Sequence, residues 1–122
     1  MSLDELLERL AKAGGPNFAL DCAIFETVLP DEWFGSKVEA WFNDGGHYGC
    51  NTADGRRHLQ CLKAPTYTSS IDAALTLLPP GAWWRIGKGQ GCSAEIGNEG
   101  FHDGATPALA ICIASLRSRK TT

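Results

Sequence analysis

The 122-residue sequence predicts an α+β domain in which helices pack on an antiparallel sheet. Three observations predict it. Apolar residues recur at helical spacing near both ends of the chain and once in between, short runs of alternating apolar and polar residues lie among them, and turn clusters such as Asp44-Gly45-Gly46 punctuate those runs as in a meander.

The first helix opens on Ser2 and Glu5, a capping-box pair, and carries Leu3, Leu6, Leu7 and Leu10 as one stripe until Gly14-Gly15-Pro16 stops it. Asn17 is a good N-cap for a second helix, with Phe18, Cys22, Phe25 and Leu29 on one face and Pro30 as its end. Residues 31–64 read as a meander: Val38, Ala40 and Phe42 alternate with polar or outward residues, and a last strand spans His58 to Leu62. Thr68 or Ser69 is the expected cap of a third helix, in which Ile71, Ala74, Leu75 and Leu78 fall on one side before Pro79-Pro80-Gly81. Trp83 to Lys88 and Cys92 to Ile96 form a hairpin around Gly89-Gln90-Gly91, and Asn98 to Gly104 reads as a polar loop. Thr106-Pro107 begins a last helix, Pro107 to about Ser118, apolar nearly all round and therefore expected to be buried on two sides.

Hydrophobic residues make up 43% of the chain and charged residues 20%, which places it among globular domains. Eleven Lys+Arg against fourteen Asp+Glu give a formal charge of -3. That balance argues against a protein that coats DNA, which needs a basic face to displace counterions, and leaves room for a local basic pocket. No run of apolar residues has the length of a membrane span, and the acidic start Met1-Ser2-Leu3-Asp4-Glu5 is unlike a secretory n-region. Five cysteines are an odd number, and Cys22 and Cys112 sit inside helical apolar patterns, so free thiols in a reducing cytoplasm are expected.

Three stretches carry a resemblance: Pro65-Thr66-Tyr67-Thr68-Ser69-Ser70-Ile71-Asp72-Ala73-Ala74, then Trp83-Trp84, then Ala105-Thr106-Pro107-Ala108-Leu109-Ala110-Ile111-Cys112 on to Leu116. This pattern resembles the phage ABA sandwich domain family, small proteins of phages and prophages with a Tyr-Ser/Thr helix start, a tryptophan-containing strand and a closing "TPxLAICxAxL" helix. It covers about residues 65 to 118 and leaves about 31 to 64 as a variable region. The resemblance implies a three-layer α-β-α sandwich of phage origin, and it brings no catalytic residues to carry over.

Three constellations hold possible chemistry. His47-Tyr-Gly-Cys50 and His58-Leu-Gln-Cys61 are two His-x-x-Cys pairs seven residues apart, which a hairpin would bring together as four zinc ligands; the alternative is exposed histidines and packed thiols. In Trp83-Trp84-Arg85-Ile86-Gly87-Lys88, alternation sends Trp83 and Arg85 to one face and Trp84, Ile86 and Lys88 to the other. An indole beside a guanidinium suits a purine ring with attached phosphates; the alternative is that both indoles fill the core. The glycines from Gly87 to Gly104 precede a strand and not a helix N-terminus, so they do not make a phosphate-cradling loop. Neither a Gly-x-Ser-x-Gly elbow nor a His-Glu-x-x-His pair occurs.

The expected function is therefore that of a non-enzymatic phage accessory protein with no cofactor. It would counter host defence by sequestering a nucleotide-derived immune signal of the cyclic ADP-ribose or cyclic oligonucleotide type. Trp83 or Trp84, with Tyr67, would stack on the base, Arg85 and Arg117 would take phosphates, Thr68 or Ser69 would bond ribose hydroxyls, and a homo-oligomer would close the pocket. The competing expectation is a protein-interaction inhibitor of a host defence enzyme or CRISPR effector, with surface Trp residues as hot spots.

Overall fold

The computed structural model describes residues 2–88, 92–97 and 100–120. Helix α1 (Leu3–Lys12) starts where Ser2 Oγ accepts the Glu5 N–H at 3.2 Å, and it buries Leu6, Leu7 and Leu10. Helix α2 (Phe18–Thr27) starts where Asn17 Oδ1 accepts the Leu20 N–H at 3.0 Å. Both caps follow the sequence signals, because each side chain satisfies an N–H that the first turn leaves unpaired. The buried face of α2 differs from the expected one: Leu20, Asp21, Cys22, Ile24 and Phe25 point inward, and Phe18 is exposed. The helix is rotated so that the Asp21 carboxylate enters the core, where Thr68 satisfies it: Oδ1 accepts the Thr68 N–H at 2.7 Å and its hydroxyl at 2.8 Å.

Four antiparallel strands follow as a meander: β1 (Glu32–Trp33), β2 (Ser36–Asp44), β3 (His47–Thr52) and β4 (Arg57–Lys63), side by side in chain order. The β2–β3 turn is Gly45-Gly46, both at positive φ, which gives a two-residue loop the twist of its strands at no steric cost. The β1–β2 turn uses Phe34-Gly35, and Phe34 sits at φ 50, where a bulky side chain is strained. Its ring stacks on His58 at 5.8 Å and meets Trp33 edge-on at 5.4 Å. Tyr48 ties this sheet to α2: its ring meets Phe25 at 5.2 Å, and its hydroxyl donates to Glu26 Oε2 at 2.7 Å.

The third helix is shorter than its apolar pattern. Ser70, not Thr68 or Ser69, caps α3 (Ile71–Leu75), because Thr68 is committed to Asp21. The chain then continues in i→i−3 turns, Leu77 to Ala74 and Leu78 to Leu75, before Pro79. Strands β5 (Trp84–Lys88) and β6 (Cys92–Ile96) form the expected hairpin, whose turn residues 89–91 lie outside the described residues. The expected polar loop is in part a strand, β7 (Phe101–Gly104), which pairs with β6 and makes a second, three-stranded sheet in the order β5-β6-β7. The described residues thus form two antiparallel sheets where the sequence suggested one.

Helix α4 (Pro107–Lys120), capped by Thr106 Oγ1 accepting the Leu109 N–H at 3.2 Å, is the centre of the molecule. It packs on β6, β7, α1 and α3, and every residue from Ala108 to Leu116 is buried. Small side chains permit that. A Cβ at Gly104 would stand 2.5 Å from the Ala110 backbone nitrogen, so only glycine lets β7 approach the helix this closely. Among the described residues no helix is long and apolar enough to cross a membrane.

Candidate functional site: the open face of the second sheet

The β5-β6-β7 sheet has two unlike faces. Cross-strand pairing places Ile86, Ala94 and His102 in one row and Cys92 with Gly104 in another, both toward α4. The alternate row, Arg85–Glu95–Phe101, lies on the opposite side, and Trp83 joins its end. Arg85 sits among these groups. Its Nε and Nη2 both donate to Glu95 Oε1 at 2.7 Å, and its Cζ is 4.9 Å from the Phe101 ring centre and 5.7 Å from that of Trp83. Glu95 Oε2 accepts the Gly100 N–H at 3.0 Å. Both carboxylate oxygens are engaged, which is why an acid 9% exposed can lie beneath an arginine 61% exposed. Gly87 belongs to the same face: a Cβ there would stand 3.2 Å from the Phe101 ring.

The arrangement holds a guanidinium within reach of two aromatic rings, with its charge balanced by Glu95. Arg85 has five N–H donors, and two are used by Glu95. Among the described residues no other acceptor takes the rest. Trp83 is 47% exposed and Phe101 45%, so the face offers apolar area and directed donors together.

The residues expected to form one pocket are dispersed over the molecule. Trp83 and Arg85 are together on this face, as alternation predicts. Trp84, 42% exposed, lies in the row of Ile96 on the α4 side of the sheet. Tyr67 and Thr68 are inside the core: Tyr67 packs near Phe25, its carbonyl accepts from Cys112 Sγ at 3.4 Å, and burial pushes its phenol up to about 12. Thr68 spends its hydroxyl on Asp21. Ser69 is exposed and donates to the Thr66 carbonyl at 3.3 Å, and Arg117 is exposed on α4. Glu95 and Phe101, which complete the Arg85 cluster, were not singled out in the sequence, because a four-residue strand flanked by glycine reads as loop. The one available signal was a Phe two residues before an Asp, a period-2 pattern too short to separate from chance.

The two His-x-x-Cys pairs do not converge. In a strand, residues three apart point to opposite faces, so His47 and Cys50 diverge. Cys50 is fully buried; burial first, then the adjacent Cys61 thiol, raises its pKa. His58 instead stacks on Phe34 and lies 3.2 Å from Thr52 Oγ1. Among the described residues no three His, Cys, Asp or Glu side chains group as metal ligands.

Shallow clefts flank α2, among them two that share Glu26 and Asn43. One, of about 460 Å³, is bordered by Arg9, Phe18, Glu26 and Asn43, and the other, of about 350 Å³, by Glu26, Asp31, Glu39 and Trp41. Tyr48 lines the second, and burial followed by its bond to Glu26 raises its phenol well above the usual tyrosine range, so it stays a protonated donor.

No family profile matches the chain, and neither a curated protein nor a solved structure matches it.

Proposed function

We propose that the protein acts by binding a protein partner through the Trp83–Arg85–Phe101 face. The observation that supports this most is the composition and exposure of that face: Trp, Phe and Arg in one exposed cluster are residue types enriched at protein interfaces, and Trp and Arg are among those that dominate their binding energy. The Glu95 pair supports it further, since a guanidinium already neutralised and fixed loses little side-chain freedom when a partner carbonyl meets its remaining N–H groups. The setting follows the resemblance of residues 65–118: a phage accessory protein in the host cytoplasm, a three-layer α-β-α domain, and an inhibitor of a host defence enzyme.

A second reading, capture of a nucleotide-derived signal, draws on Trp83 beside Arg85, an indole for a base and a cation for a phosphate. It is the weaker of the two, because a phosphate must compete with Glu95 for the same guanidinium.

The test uses the intact chain immobilised and exposed to purified defence enzymes, and in parallel titrated calorimetrically with cyclic nucleotides. The expected result is stoichiometric capture of a protein, reduced at least about tenfold by Trp83→Ala or Phe101→Ala, a loss of roughly 1.4 kcal/mol or more. Heat with a nucleotide and no protein capture would replace the first reading by the second. Capture unaffected by both variants would remove this face from the function.

A further inference from the structure

Strand β5 ends the three-stranded sheet, paired with β6 alone. The Gly97 N–H donates to the Trp83 carbonyl at 3.0 Å, and this fixes the phase of the ladder. Every second residue of an antiparallel strand turns its N–H and C=O to the same neighbour, so Arg85 and Gly87 bond β6. The backbone groups of Trp84, Ile86 and Lys88 therefore point to the open edge.

The other strand edges are blunted. β1 has two residues. β4 carries Arg57 and Lys63, pairs with β3 across a register break and holds Gln60 at φ 50. β7 has four residues and follows Gly100 at φ 86. β5 has five residues in unbroken register, contains no proline and no positive-φ residue, and of its two basic residues, Arg85 and the terminal Lys88, Arg85 is neutralised within its own sheet. An edge left regular along its length is a template for another strand.

We infer that β5 joins two copies of this chain, antiparallel about a two-fold axis, merging two three-stranded sheets into one of six strands. Three features select a second copy as the occupant. Full overlap of Trp84–Lys88 with itself centres on Ile86, and that register brings the outward residues into hydrogen-bonded pairs: Trp84 with Lys88, and Ile86 with Ile86. The same register sets Arg85 opposite Gly87 and Lys88 opposite Trp84, so like charges never face each other across the seam. Finally, Trp84 is 42% exposed at this edge, and the seam takes it out of water. Because directly paired residues share a face, the two Trp83–Arg85–Phe101 clusters come to lie on the same side of the joined sheet.

The experiment combines sedimentation velocity from nanomolar to high micromolar concentration with amide hydrogen exchange at the two extremes. The expected result is a mass rising to twice 13.1 kDa, with the Trp84 and Ile86 amides slowed by at least about tenfold at high concentration. Trp84→Lys, which sets two lysines opposite each other at both ends of the seam, abolishes the dimer with an unchanged circular dichroism spectrum. A constant monomer mass overturns the inference, as does a dimer whose Trp84 and Ile86 amides exchange at the monomer rate. A monomer whose amides slow only when an extended peptide is added also overturns it, and assigns the edge to a strand-donating partner.

Discussion

Asp21 and Thr68 carry more of the fold than their residue types suggest. Each is polar and each is buried, which is tolerable only because they satisfy one another across forty-seven positions of sequence. Asp21→Ala leaves the buried Thr68 N–H without an acceptor and is expected to lower unfolding free energy by about 3 kcal/mol in urea titration; Asp21→Asn, which keeps one acceptor, is expected to cost less. Cys112 gives a second prediction. Burial pushes its thiol up to about 12 from an ordinary value of 9.0. A raised folded-state pKa contributes stability that is fully present below the unfolded value and is lost as pH rises through the folded one. The Cys112 contribution therefore holds below pH 9.0 and declines toward about 12. The native protein is expected to leave Cys112 unmodified by iodoacetamide near pH 8, with labelling on addition of denaturant, read by peptide mass spectrometry.

At the scale of elements, the helix starts and the buried faces of α1 and α4 were legible, and the buried face of α2 was not. Ser2, Asn17 and Thr106 are capping signals because the group each one satisfies lies within its own first turn. Which side of α2 turns inward depends on Thr68, far along the chain, and no local period encodes it. β7 was hidden for a related reason: four residues bury too little to announce themselves, and their strand character comes from pairing with β6. The β7–α4 contact then rests on one missing methyl group. Gly104→Ala would place a Cβ against the Ala110 backbone, which has no rotamer by which to yield, and an expected loss of about 2 kcal/mol should show as a lower melting temperature.

For the molecule as a whole, the question is whether two sheets make one cooperative unit. Tyr48 inserts between β3 and α2, Ala64 closes the end of the meander, and both belong to the same buried cluster as α4. Trp33 and Trp41 report on the first sheet, Trp83 and Trp84 on the second. Variants retaining only one pair are expected to unfold with coincident denaturant midpoints, measured by fluorescence; separated midpoints would show the meander opening by itself. The Trp83–Arg85–Phe101 face also belongs to this scale, since its members are brought side by side only by the register of three strands.

What the sequence alone determined was local: α+β class, four helix starts to within two residues, the β5–β6 hairpin, and Trp83 with Arg85 on a common face. Those features are set by interactions within a few residues or by the two-residue period of a strand. The tertiary structure decided what is long-range: that there are two sheets, that Tyr67 and Thr68 are core, that the His-x-x-Cys pairs diverge, and that Glu95 and Phe101 complete the Arg85 cluster. The physical reason is that burial and strand pairing are contracts between distant residues, and a side chain's role follows from the partner it meets.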